Sequence, residues 1–402
     1  MPGPLHGYRI IDLTSMISGP LATVLLADQG ADVIKVENPH EGDHTRASSN
    51  TRGGLSASFL HNNRNKRSIA LNLKHPRGLE VVKQLIEGAD AIVQNFRPGV
   101  AERIGVGEDA VREINPNIVY VSISGFGETG PYAYKPTYDP LVQAISGLAS
   151  VQAGSDEERP RLVRTILPDK LTGMTAAQAI TAALLARERS GEGQHVRLSM
   201  LDAVVGFLWG SDMGSQTFIG NELPQQKAAS FIDLIYETAD GYISVAVQSD
   251  REWAALTRAL DKPEWLEDER FKSPSLRQDN INTRLDMIQE VLLTRTAAEW
   301  IERLEAEDVP CAPVLTRNGV LDHEQVRANG LIVEVDHPVA GPIRQARPAA
   351  RFSATEAGIR QGAPQLGEHT VDLLSELGYG PDDIEALREE GTIGSPAKAA
   401  AP

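Results

Sequence analysis

Over its first 125 residues the chain alternates short apolar strands with helices. That rhythm admits little besides a parallel, doubly wound sheet. Tyr8-Arg-Ile-Ile-Asp-Leu13 reads as a strand, and Pro20 to Asp28 as a helix with proline in its first turn and Gly30 as its stop. A second strand, Asp32 to Glu37, precedes a helix at Pro76 to Glu87, a strand at Asp90 to Gln94, helical segments from Val100 to Ile114, and a strand from Ile118 to Ser124.

The style then changes. From Tyr138 to about Phe218 the pattern is mostly helical, broken by a short strand at Gln194 to Leu198, and Asn221 to Lys227 reads as a polar linker. Asp240-Gly241 sits between two alternating runs and predicts an antiparallel hairpin, while Thr296 and Glu299 form a capping-box signature. Strand character returns near Leu331, followed by helices at His369 to Leu377 and Asp382 to Glu390. The expected organisation is an α/β fold in four segments: residues 1–224 as the first part of a large domain, 225–325 as an inserted smaller α+β domain, 326–392 as the return to the large domain, and 393–402 as a flexible tail.

Charge and composition exclude several functions. A formal net charge of −16 over 402 residues lacks the basic face that nucleic acid requires. The single cysteine, Cys311, forms no disulfide framework, and no histidine spacing suggests zinc, so no metal is expected. With no apolar run of membrane-spanning length and no leader pattern, the expectation is a cytoplasmic protein with no membrane association.

Three features carry chemistry. Gly125-Phe-Gly-Glu-Thr-Gly130 follows a strand as a dinucleotide fingerprint would, but Pro131 and Pro136 forbid the helix whose N-terminus should face a pyrophosphate, so it reads as a glycine loop beside a site. Cations gather in two knots, one of Arg64, Lys66, Arg67 and Lys74, the other Asn95-Phe-Arg97 with Arg103. Both lie near strand ends, where open α/β sheets bind ligands, and both read either as a phosphate site or as solvated surface. Finally, Asp169 opens a helix of small residues running from Lys170 to Leu185. It is either an ordinary N-cap or a nucleophilic carboxylate kept ionised by the helix start.

Taken together, these segments resemble the family III CoA-transferases, the formyl-CoA and carnitine-CoA transferase group that also contains the α-methylacyl-CoA racemases. The resemblance rests on Gly30-Ala-Asp-Val-Ile-Lys-Val-Glu37, Asn63 to Lys74, Asn95 to Gly99, Ser122 to Pro131, Tyr138-Asp139, Gln143 to Gly147, Asp169 and Thr238 to Gly241. It implies a Rossmann-like large domain built from both chain ends, a small inserted domain, and a homodimer whose subunits interlock like chain links. Asp169 falls on the family nucleophile. Coenzyme A contacts fall on Ile17, Asn72, Leu73, Lys74, Asn95, Phe96, Arg97, Arg103, Tyr138 and Asp139. The implied substrates are an acyl-CoA and a carboxylic acid acceptor, joined through aspartyl anhydride and aspartyl-CoA intermediates.

Two departures bear on specificity. Ile17 stands where formyl-CoA transferases carry glutamine, and Ala228-Ala-Ser-Phe231 replaces their glycine-rich loop, so an acid bulkier or less polar than oxalate is expected. Racemases of the group place histidine where this chain has Tyr138, and a phenol is poorly suited to proton removal near neutral pH. The transferase reading is therefore preferred over a racemase and over a CoA-binding protein with an idle Asp169.

Overall fold

A computed structural model describes residues 3–220 and 234–394. The chain divides into two compact units, Met1–Gln152, Pro160–Ile219 and Gly330–Pro402 in one, Ala153–Arg159 and Gly220–Asn329 in the other.

The first unit is built on a six-stranded sheet, all of whose pairings are parallel. Its strands are β1 (Arg9–Asp12), β2 (Asp32–Glu37), β3 (Lys66–Ala70), β4 (Ala91–Gln94), β5 (Val119–Ser124) and β6 (His195–Ser199), in the order β3-β2-β1-β4-β5-β6. This is the doubly wound order in which direction reverses between β1 and β4, opening a crevice beyond their carboxyl ends. Alternate residues feed opposite layers, as the pleat requires. Ile11, Ile34, Ile92 and Tyr120 pack under one set of helices, and Ile10, Val33, Val93 and Val121 under the other.

On the second face lie α1 (Ser18–Asp28) and a 24-residue helix, α2 (Leu167–Ser190). Small side chains let them approach closely: a Cβ on Gly173 would stand 2.8 Å from the Ser18 carbonyl oxygen and 2.9 Å from Leu21 Cβ. The contact brings the start of α1 against the first turns of α2.

β3 was not foreseen, because its cations disguise a strand. The return segment also extends further than expected: Ile393 is buried and forms an antiparallel bridge with Leu71, so the expected tail from residue 393 starts too early. Residues 395–402, the linker after Gly220 and Ala228 to Phe231 lie outside the described residues.

In the second unit, Ile235–Glu237 and Tyr242–Val245 pair antiparallel around Asp240-Gly241, and Cys311–Pro313 adds a third strand. Thr296 and Glu299 form the anticipated reciprocal capping box. Trp253, Trp265, Phe271 and Trp300 supply its core.

Candidate active site

The loop from Leu13 to Ile17 leaves β1 at the crevice and winds tightly into α1. Met16 holds φ +70°, a left-handed conformation uncommon outside glycine. Ser15 exchanges two hydrogen bonds with the Asn95 amide, donating its N–H to Oδ1 at 3.0 Å and accepting from Nδ2 at 2.8 Å. Asn95 thus fastens the β1 loop to the β4 loop across the switch point.

Asp169 stands on α2, opposite this loop. It is the third residue of the helix, with Ile166 in the capping position and Pro168 ahead of it, so the simple N-cap reading is corrected. The Asp169 N–H donates to Asp139 Oδ2 at 3.3 Å, and Gln143 Nε2 donates to Asp139 Oδ1 at 2.6 Å. Asp139 is 4% exposed and both of its carboxylate oxygens have partners. It is therefore a neighbour of Asp169, with little of its surface left to touch CoA.

The Asp169 carboxyl does not have the low pKa expected of a helix start. Burial and the Asp139 charge push it up to about 6, against hydrogen bonds from the Ser18 hydroxyl and backbone N–H that favour the ionised form. Ser18 opens α1, so its N–H is one of the helix's unpaired donors. The sequence reading missed Ser18; a serine opening a helix next to a crevice strand was the available signal.

The cation knots separate into two kinds. Arg64 pairs with Asp28 at 2.8 Å, Lys66 with Asp12 at 3.0 Å, and Arg67 with Asp32 and Glu376, each at 2.6 Å. These three cannot serve as open phosphate sites, a correction that follows from β3: as strand residues and their flank, they brace the sheet. Lys74, Arg97 and Arg103, by contrast, have no acidic partner among the described residues and lie just beyond β3 and β4.

Asn72, Leu73, Lys74 and Phe96 line one cleft of about 220 Å3 with Leu13, Thr14 and Asn38. Phe96 and Arg97 also line a second cavity of about 540 Å3, walled by Tyr120, Ser122, Glu108 and His195. Arg103 stands beside Gly99, where an added Cβ would be 3.5 Å from its Nη1. Ile17 caps α1 one residue before Ser18, and Tyr138 is 65% exposed immediately before Asp139. The structure therefore gathers Asn72 to Lys74 and Phe96 around one cleft and brings Ser18, Asp139 and Asp169 together as a separate polar group.

The glycine loop after β5 behaves as expected. Gly127 and Gly130 adopt positive φ, Gly127 N–H donates to Ser124 Oγ at 3.1 Å, and no helix begins until Asp139–Ile145. His61 and His195 are engaged elsewhere: His61 with Arg64, and His195 with Ser122 and Glu108. Among the described residues, no cluster of side chains suited to a metal ion occurs, and no helix is long and apolar enough to cross a membrane.

The profile of CoA-transferase family III matches residues 5–370 of this chain. A succinyl-CoA:glutarate CoA-transferase from Mus musculus is 34% identical over 401 residues, covering 97% of this chain and 90% of that protein. A formyl-CoA:oxalate CoA-transferase from Shigella sonnei is 35% identical over 419 residues, covering 98% and 100%. Among solved structures, a CaiB/BaiF family protein from Brucella suis superposes with a TM-score of 0.82 at 30% identity, covering 94% of this chain and all of that one.

Proposed function

This chain belongs to CoA-transferase family III, and from that premise we propose that it moves CoA from an acyl-CoA thioester to a free carboxylate through covalent chemistry on Asp169. The observation that carries the reading is the buried Asp169 carboxyl, its pKa raised beside the Asp139 carboxylate that accepts its own N–H, in a unit that also holds a cleft lined by Asn72, Leu73 and Lys74.

With a pKa of about 6, roughly nine-tenths of Asp169 is ionised at neutral pH, and the carboxylate is more basic than an exposed aspartate. One of its oxygens attacks the thioester carbonyl; the tetrahedral intermediate collapses, expels CoA thiolate and leaves a mixed anhydride. The thiolate then attacks the aspartyl carbonyl, the donor acid departs as carboxylate, and an aspartyl-CoA thioester remains. The acceptor carboxylate repeats the first step on this thioester, and thiolate attack on the acceptor's acyl carbon releases the new acyl-CoA with Asp169 restored. Every step passes through an oxyanion, for which the Ser18 donors and the N–H groups of the Gly125 to Gly130 loop are the available stabilisers.

Lys74, Arg97 and Arg103 suit the phosphates of CoA, because each keeps its charge unneutralised in a chain that is otherwise acidic. The acceptor is a carboxylic acid less polar at its near end than oxalate, since Ile17 offers hydrocarbon and no hydrogen bond next to Ser18. A homodimer accounts for the apolar side chains that α2 and the following segment leave open: Met174 is 60% exposed, Phe207 51% and Phe218 70%.

The test is a CoA-exchange assay read by mass spectrometry, with succinyl-CoA as donor, a panel of mono- and dicarboxylic acids, and Asp169→Ala alongside. New acyl-CoA from the wild type alone, with hydroxylamine trapping on Asp169 during turnover, supports the reading. Exchange undiminished in Asp169→Ala would overturn it, and so would loss of α-proton from a 2-methylacyl-CoA without exchange.

A further inference from the structure

Four charged side chains lie buried beneath the β1 loop. Lys35 and Asp43 are each 0% exposed at the side chain and stand 3.0 Å apart, as do Lys66 and Asp12, also 0% exposed. Burying two ion pairs is costly, and replacing such pairs with apolar residues is often harmless to stability. Their hydrogen bonds show what the arrangement accomplishes.

Lys35 Nζ donates to the Thr14 carbonyl at 2.8 Å, and Lys66 Nζ to the Pro20 carbonyl at 3.0 Å. Asp12 Oδ1 accepts the Thr14 N–H at 2.9 Å. Asp43 Oδ1 accepts the Met16 N–H at 3.2 Å, while its Oδ2 faces Lys35 as an ion pair rather than as an aligned hydrogen bond. The quartet thus grips the loop from Thr14 to Pro20 at four backbone atoms. Met16 is the residue held at positive φ, and such a conformation persists only where surrounding contacts enforce it. Two residues further on, Ser18 opens α1 with its carbonyl against Gly173, one turn beyond Asp169 on α2, and its donors favour the ionised Asp169 carboxyl.

We infer that Asp43 is a positioning residue for the nucleophile, fixing through the Met16 N–H the strained turn that aims the Ser18 donors at Asp169. Lys35 keeps Asp43 ionised and in place. The inference rests on Asp169 being the nucleophile. Asp43 itself touches no reacting atom.

Two double variants separate the positioning bond from the ion pair. Lys35→Met with Asp43→Asn removes both charges but keeps an Oδ1 acceptor for Met16. Lys35→Met with Asp43→Leu removes charges and acceptor together. In the exchange assay the first should keep kcat within a few-fold of wild type, whereas the second should lose about a hundredfold, the scale of an ångström-sized misplacement of a reacting group. In the second, KM for the acyl-CoA stays level and the acid limb of kcat moves above its position near pH 6, because Ser18 hydrogen bonds that favour the carboxylate are lost. Ser18→Ala, which leaves the quartet untouched, should move the same limb in the same direction.

Equal kcat and equal acid limbs in the two doubles would overturn the inference, as would an unmoved limb in Ser18→Ala. Failure of the underlying reading looks different: Asp169→Ala would retain exchange, and no adduct would form on Asp169 in the wild type.

Discussion

Replacing Asp169 with asparagine should stabilise the fold at neutral pH while abolishing turnover. Burial and the Asp139 charge raise the Asp169 pKa from 3.8 to about 6. A carboxyl that binds its proton more tightly in the folded chain than in the unfolded one contributes stability that is fully present below the unfolded pKa and is lost as pH rises through the folded one. Two units at 1.36 kcal/mol each give a penalty of about 3 kcal/mol at about pH 8, an upper bound because solvent screens part of the site. At about pH 5 roughly half of it has developed, and below the unfolded pKa it vanishes. Asparagine matches the shape and never ionises, so Asp169→Asn escapes the penalty. Urea unfolding of both proteins at about pH 5 and about pH 8, at one protein concentration, measures the difference. A stabilisation that grows with pH is expected. A gain identical at both values, or a loss at both, would refute the reasoning, for the carboxyl would then carry no folding cost of its own.

The two kinds of cation should fail differently. Lys74→Gln and Arg103→Gln should each raise KM for acyl-CoA about tenfold with kcat preserved, and should leave a short pantetheine thioester donor unaffected, because only the phosphates are read. Lys66→Met should instead cost about 3–5 kcal/mol in urea unfolding, since Asp12 is left buried without its counterion. Gly173→Ala would press a methyl group against the Ser18 carbonyl at 2.8 Å and Leu21 at 2.9 Å, so it should destabilise by about 1–3 kcal/mol and lower kcat by shifting the α1 terminus. Unchanged kinetics in Gly173→Ala would show that the contact between the helices does not set the site.

The sequence by itself determined the sheet apart from its edge strand β3. Strands such as Asp32–Glu37 and Val119–Ser124 carry apolar residues toward both layers, and helices such as Pro76–Glu87 begin at proline with a clear polar side, so local pattern and tertiary role agree. The capping box at Thr296 and the turn at Asp240-Gly241 were legible for the same reason, because their hydrogen bonds close within a few residues. The proposed role of Asp169 rests on resemblance, since one aspartate near a helix start looks like any other. Tertiary structure alone decided which cations are free. Arg64, Lys66 and Arg67 look like Lys74 in the sequence, yet their partners Asp28, Asp12 and Glu376 lie 36, 54 and 309 residues away. It also decided the state of Asp169. Its pKa depends on Asp139 and Ser18, which meet it only because β1, α1 and α2 converge at one end of the sheet, and no local pattern carries that convergence.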